Sequence, residues 1–132
     1  KIMKKVLKGY IFSRPFLGER VPQSIQNLVL RDYCTRNNFI YELSTVEYCM
    51  KDSLIHLNNL IKNLNLYSGI LCYSLFQLPS DPNIRYKILK KIVSKKKAFH
   101  FAVENQFVSS QKDIGKINDF WAIKKTLVEN TL

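Results

Sequence analysis

The loop SRPFLGER, at residues 13–20, has the residue types of a site for a small anion. Arg14 presents a planar fork of N–H donors that matches a phosphate or a carboxylate, and the Ser13 hydroxyl beside it can donate as well. Arg20 returns in the same loop, and a helix is expected to begin near Pro22, where free backbone N–H groups also favour an anion. We therefore predict an anion site here. The alternative is that the arginines pair with Glu19 or Glu47 and that Ser13 caps a turn.

Other polar side chains follow the later apolar runs of the sequence. Ser74 lies at the end of the run GILCYSL and Gln77 just after it, and Glu104 comes after AFHFAV. We name Ser13 and Glu104 as candidate catalytic residues, with Glu104 as a general base, and Ser13, Arg14, Arg20, Ser74 and Gln77 as candidate ligand contacts. The alternatives are that Gln77 holds its loop through backbone hydrogen bonds and that Glu104 is a surface or loop carboxylate.

The elements that must position these residues alternate regularly along the chain. Apolar runs predict strands over 6–12, 39–44, 69–75 and 98–104. Helical spacing predicts a helix over 22–38, with an apolar stripe formed by Ile25, Leu28, Val29 and Tyr33, and a helix over 52–64 with Asp52 as its cap. It also predicts a helix beginning near Pro82, with Ser80 or Asp81 as its cap, and a C-terminal helix. Alternating strands and helices indicate an α/β three-layer sandwich with a four-stranded parallel sheet, in one domain over residues 3–129. Ligands of such folds bind beyond the carboxyl ends of the strands.

The formal net charge is +11, and six lysines lie close together: Lys87, Lys90, Lys91, Lys95, Lys96 and Lys97. This favours an acidic partner, namely nucleic acid, a phosphorylated metabolite or a membrane surface, although such a run is also typical of a solvated helix face. No apolar run is long enough to span a membrane. Three scattered cysteines and two histidines predict unpaired thiols in a reducing cytoplasm and no metal. The G-x-G-x-x-G pattern is absent, so we expect no cofactor.

The segments GYIFS, SIQNLVLRDYCTRNNF and GILCYSLFQL resemble, in that order, the catalytic domain of serine recombinases (resolvases and invertases). The resemblance implies a resolvase-like fold. Gln26 matches the glutamine of that family's helix, so we add Gln26 to the candidate ligand contacts. The family's Asp and Arg after the third strand fall here on Phe76 and Gln77, and Arg14 stands where the nucleophilic serine would be. With most of the arginine cluster missing, strand exchange is not expected.

A second resemblance extends from Gly9 to Trp121. The segments GYIFSRPFLGERVPQSIQNLVLRDYC, STVEYCM, YSLFQLP and FHFAVE are similar to the sporadic carbohydrate cluster proteins, a small bacterial family found in surface-glycan gene clusters. That resemblance implies a role in surface-polysaccharide or glycolipid synthesis. It implies no particular reaction and no catalytic residues.

These observations lead to one expected function and two alternatives. We expect a cytoplasmic protein of surface-carbohydrate biosynthesis that binds or acts on a phosphorylated sugar or a nucleotide sugar. We expect any binding of nucleic acid to be weak and non-specific. The first alternative is a catalytically degenerate recombinase-like module that binds nucleic acid through its lysines. The second is a non-catalytic regulatory or scaffolding subunit of a glycan-synthesis enzyme. Whether the chain is an enzyme, and whether it forms a homo-oligomer, stay open at this point.

Overall fold

The computed structural model describes the backbone of residues 4–130 and the side chains of residues 4–127, so the predicted domain start at residue 3 lies just outside it. Five strands occur in this range: β1 (Val6–Ile11), β2 (Ile40–Val46), β3 (Gly69–Cys72), β4 (Ala98–Phe101) and β5 (Gln106–Val108). The α-helices are α1 (Gln23–Arg36), α2 (Ile55–Lys62), α3 (Pro82–Ser94) and α4 (Gln111–Asn130). Single turns of 3₁₀ helix occupy Leu64–Leu66 and Leu75–Gln77.

The strands form one sheet in the order β2-β1-β3-β4-β5. The pairs β1–β2, β1–β3 and β3–β4 are parallel, and β3 lies at the centre. The prediction of four parallel strands needs one correction, because β5 pairs with β4 in the antiparallel direction. The predicted strand over 98–104 ends at Phe101, and a tight turn reverses the chain with Asn105 in the left-handed region (φ 53°). Glu104 therefore lies in a hairpin turn rather than at the end of a strand.

Helices cover both faces of the sheet, which confirms the predicted three layers. One face packs against α2, α3 and α4, and its core includes Tyr10, Leu57, Ile70, Leu89, Phe99 and Trp121. The other face carries α1 alone, in a smaller cluster with Leu7, Ile11, Leu30, Tyr33 and Leu71. Because α1 packs chiefly against β1, β2 and β3, and touches β4 through the contact of Tyr33 with His100, that face of β5 is left thinly covered.

The start of α3 follows its sequence signal. Asp81 accepts hydrogen bonds from the backbone N–H groups of Asn83 and Ile84, and Pro82 occupies the first turn. By contrast, α2 begins at Ile55, and Asp52, the predicted cap, lies in the preceding loop with φ 60°. The cap prediction for α2 is therefore wrong.

The buried face of α1 differs from the predicted apolar stripe. The helix buries Gln26, Leu30, Tyr33 and Cys34, while Ile25 and Leu28 are 44% and 64% exposed. A glutamine takes an inward position because all its polar atoms find partners there, as described below. This rotates the helix away from the register that counting apolar residues predicts.

Candidate functional site

A cleft of about 440 Å³ opens at the carboxyl ends of β1 and β3, where the fold rule places a ligand. Arg14 and Gln77 line it, together with the aromatic rings of Phe76 and Trp121. Asp52 and Asp81 line it as well. One guanidinium beside two carboxylates makes the cleft less favourable for an anion than the loop sequence alone indicates.

Arg14 is held in place by the protein itself. Its Nη1 donates to the carbonyl oxygens of Tyr48 (3.1 Å) and Met50 (3.5 Å), and its guanidinium lies 4.1 Å from the ring centre of Phe12. These contacts tie the loop after β1 to the loop after β2. The carboxylates of Glu19 and Glu47, proposed as alternative partners, do not pair with Arg14.

Ser13 and Arg20 lie outside the lining of this cleft. The Ser13 hydroxyl oxygen is 2.8 Å from the Cys49 sulfur, so the candidate nucleophile contacts a thiol and not a base. Arg20 is exposed and makes no hydrogen bond or ion pair to the described residues. The proposed catalytic role of Ser13 and the proposed anion contact of Arg20 therefore stay predictions.

The rest of the loop is a small hairpin. Phe16 and Glu19 exchange two backbone hydrogen bonds of 2.8 and 3.0 Å. Leu17 and Gly18 form the turn between them with φ values of 49° and 76°, both in the left-handed region. Glycine suits the second of these positions because it adopts a positive φ without steric cost.

Gln26 and Gln77 do come together, as partners of each other. The side-chain amide of Gln77 donates to Gln26 Oε1 (3.0 Å), and Gln26 Nε2 donates to the carbonyls of Phe12 and Val21 (2.8 Å each). Gln77 Oε1 in turn accepts from the backbone N–H of Ser74 (3.1 Å). Both amides are buried, so these hydrogen bonds lock the ends of β1 and β3 to α1. The predicted alternative for Gln77, a loop-fixing role, describes its observed contacts.

The network continues to Glu104. Its carboxylate accepts from the Ser74 hydroxyl (2.7 Å) and from the backbone N–H of Leu75 (2.9 Å). Ser74 and Glu104 line a separate, smaller cleft of about 200 Å³. Both carboxylate oxygens of the proposed general base thus already serve the turn after β3. Glu104 also contributes, after burial, to raising the pKa of the neighbouring Cys72 thiol.

Glu47, which the sequence suggested as a partner for an arginine, instead holds a set of hydroxyl and backbone donors. Glu47, only 2% exposed, accepts five hydrogen bonds, from the hydroxyls of Tyr10 and Ser53 and the backbone N–H groups of Tyr48, His56 and Leu57. Burial alone would raise its pKa, but these hydrogen bonds hold the pKa below its ordinary value. A lone carboxylate after an edge strand looks like a surface residue in sequence, so no spacing signal could have revealed that Glu47 is buried among these five donors.

Across residues 4–130 there is no helix with the length and apolar character to cross a bilayer. The same residues contain no group of three His, Cys, Asp or Glu side chains placed to hold a metal ion.

The sequence matches no protein-family model and no curated protein. Solved structures do match. The N-terminal catalytic domain of TP901-1 integrase superposes with a TM-score of 0.64 at 19% identity, covering 95% of this chain and 99% of that one. A resolvase family site-specific recombinase from Streptococcus pneumoniae gives a TM-score of 0.62 at 11% identity, covering 95% and 92%.

These matches correct the expected function. Both neighbours are site-specific recombinase structures, and no comparison indicates glycan biosynthesis, so the predicted role in surface-carbohydrate synthesis is wrong. The resemblance to sporadic carbohydrate cluster proteins and the phosphorylated-sugar partner find no support in these matches either. The resemblance to serine recombinases, in contrast, is confirmed at the level of the fold. The chain has the fold of a resolvase-type catalytic domain.

Proposed function

We propose that residues 3–129 form a catalytically degenerate serine-recombinase-like module that binds nucleic acid through its lysines. The observation that carries the proposal is the uncompensated charge of α3 and the loop after it. From residue 82 to residue 103 the sequence has six lysines and one arginine and no Asp or Glu. Among the described residues the one ion pair within 4 Å joins Arg36 to Asp32, on α1.

The acidic residues that could neutralise these lysines are occupied elsewhere. Asp81 and Asp113 accept backbone hydrogen bonds at the starts of α3 and α4, and Glu47 and Glu104 hold loops. Lys90 donates only to the neutral side chain of Gln111 (2.8 Å). The exposed lysines Lys87, Lys90 and Lys91 share one face of α3 and can therefore contact successive phosphates of a nucleic-acid backbone.

The contacts of the arginines near the carboxyl ends of the strands support the proposal that the module is catalytically degenerate. Phosphoryl transfer needs positive groups aimed at the reacting phosphate. Arg14 instead donates to loop carbonyls, and Arg85 is buried, donating to Asn118 and two carbonyls while lying over the Trp121 ring. Phe76 packs edge-to-face on Trp121. We therefore propose binding without strand cleavage.

The proposal is tested by replacing Lys87, Lys90 and Lys91 together with Gln. Binding to a labelled 20-base-pair duplex, measured by fluorescence anisotropy at 100 mM salt, should weaken by about tenfold or more because three side chains no longer neutralise phosphates. A matched control replaces three exposed cations elsewhere with Gln: Arg31, Lys51 and Lys125. The control should weaken binding less than threefold.

Equal weakening in both triple variants would contradict the proposed face, because it would mean that only the total charge matters. Cleavage of the duplex, or covalent attachment of DNA to Ser13, would contradict the degenerate assignment.

A further inference from the structure

A second cleft, of about 460 Å³, lies at the opposite end of the sheet. Lys5 and Ser68 line it just before β1 and β3 begin, and Lys96 and Lys97 line it just before β4. His100 and Phe107, paired across β4 and β5, complete its wall. The cleft lies beside α1, which packs chiefly against β1, β2 and β3 and leaves Phe107 of β5 52% exposed.

The charge of this cleft has one sign. Three of the described residues that line this cleft are lysines, and no described lining residue carries a carboxylate. Lys5, Lys96 and Lys97 form no ion pair within 4 Å with any described residue. Such a concentration of free ammonium groups in a concave site favours an anionic ligand.

The wall of the cleft adds an aromatic surface with a polar edge. The rings of His100 and Phe107 stack with centres 5.2 Å apart and planes 25° from parallel, and Phe39 packs edge-on to His100 at 5.1 Å. The His100 Nδ1 is 2.7 Å from the Tyr33 hydroxyl. Its other nitrogen, Nε2, has no partner among the described residues. Since those residues leave no buried polar side-chain atom unsatisfied, Nε2 is not fully buried, and His100 lines the cleft.

Lys96 occupies a backbone position that suits glycine. It lies after the end of α3 with φ 59°, and Lys96 and Lys97 donate backbone hydrogen bonds to Val93 and Ile92 in a Schellman motif. A residue with a side chain is disfavoured in this left-handed conformation. A helix C-terminus attracts lysines in general, but it does not favour lysine over glycine at this position. A ligand role for the side chain gives a reason for keeping a lysine there.

We infer that this cleft binds a nucleotide, with the base stacked on the exposed face of Phe107 and the phosphate held by Lys5, Lys96 and Lys97. The volume suits one nucleotide. A duplex keeps its bases stacked inside, so the ligand is either an unpaired strand or a free mononucleotide. The strand form rests on the proposed function, and it explains how a base can be bound without sequence selectivity.

The test uses three probes, namely a labelled ten-nucleotide oligothymidine, a labelled duplex of the same length, and AMP. Phe107→Ala should weaken oligothymidine binding about five- to hundredfold, the range for one stacked base, and change duplex binding less than twofold. Phe107→Leu, which keeps apolar contact but removes the flat ring, should weaken binding equally and guards against a folding defect. Phe120→Ala, an exposed aromatic on α4, is the matched control and should leave all three affinities unchanged.

Lys96→Gly separates ligand binding from stability. It should weaken oligothymidine binding at least threefold while the melting temperature stays equal or rises, because glycine relieves the left-handed backbone. Lys51→Gln removes an exposed cation far from the cleft and should change binding less than twofold. A twofold or smaller effect of both Phe107 variants on oligothymidine and on AMP would overturn the inference.

The three probes also distinguish this inference from the proposed function. If neither oligothymidine nor duplex binds, the proposed function fails. AMP binding, measured by calorimetry, then tests the cleft inference independently. AMP binding that is lost in Phe107→Ala would then establish a free-nucleotide site. Absence of AMP binding would overturn the cleft inference as well. If duplex binding depends on Lys87, Lys90 and Lys91 but the binding of oligothymidine and AMP is unchanged by the Phe107 and Lys96 variants, the proposed function stands and the cleft inference fails.

Discussion

Glu47 offers the sharpest test of how the region around the first cleft is held together. In Glu47→Gln the amide oxygen can take the place of Oε2 and accept from the same three donors. The amide NH₂ group then takes the place of Oε1 and faces the Tyr10 hydroxyl and the Leu57 N–H. The Tyr10 hydroxyl can rotate to accept, but the Leu57 N–H is left without an acceptor. An unsatisfied buried donor costs about 1–3 kcal/mol, and the remaining hydrogen bonds lose their charge assistance. We therefore expect the free energy of unfolding to fall by about 3–5 kcal/mol.

The assay is urea unfolding at 25 °C and pH 7, followed by circular dichroism, with an unchanged m-value as evidence that the denatured state is the same. Glu42→Gln, on the same strand, is the control and should stay within about 0.5 kcal/mol of the parent protein. Tyr10→Phe removes a single donor and should cost about 1 kcal/mol, which keeps the test informative if Glu47→Gln does not fold. A destabilisation below about 1 kcal/mol in Glu47→Gln would refute the reasoning.

Two further predictions concern neighbouring groups. Arg14→Ala should lower the free energy of unfolding by about 1–2 kcal/mol in the same assay, because it removes a hydrogen bond to the Tyr48 carbonyl and the packing on the Phe12 ring. An unchanged stability would instead indicate that Arg14 is free to contact an anion. Burial, and then Lys5, lower the pKa of His100 to about 4 from 6.5, so the unfolded chain binds a proton first as the pH falls. Stability should therefore drop by about 2 kcal/mol between pH 7 and pH 5, and His100→Gln should flatten that change; equal slopes for both proteins would contradict it.

The sequence predicted the three layers, the parallel core of the sheet and the start of α3 because each depends on local signals. The strand GILCYSL is apolar enough to require cover on both faces, and it lies at the centre as β3. The pair Asp81-Pro82 has the chemistry of a helix start and forms one. The strand β5, with only three residues, follows a turn whose left-handed Asn105 gives no strong signal.

The candidate site was harder to predict because its residues contact one another. Gln26, Ser74, Gln77 and Glu104 do converge at the carboxyl ends of the strands, as the fold rule requires. The polarity of a residue does not distinguish a side chain that binds a ligand from one that forms a hydrogen bond with a buried neighbour. The same limit hides the cleft around Phe107, since the exposure of Phe107 on β5 follows from where α1 packs and not from any motif.

The salt dependence of duplex binding tests the central claim, that this recombinase fold binds nucleic acid through the lysines of α3. The dissociation constant for a 20-base-pair duplex is measured between 50 and 200 mM salt, for the parent protein and for the variant with Lys87, Lys90 and Lys91 replaced by Gln. The affinity of the parent should fall steeply across this range, and the logarithmic slope should be smaller by about 2–3 in the variant, close to one for each lysine that no longer neutralises a phosphate. Absence of duplex binding at 50 mM salt, or the same slope for both proteins, would contradict the account.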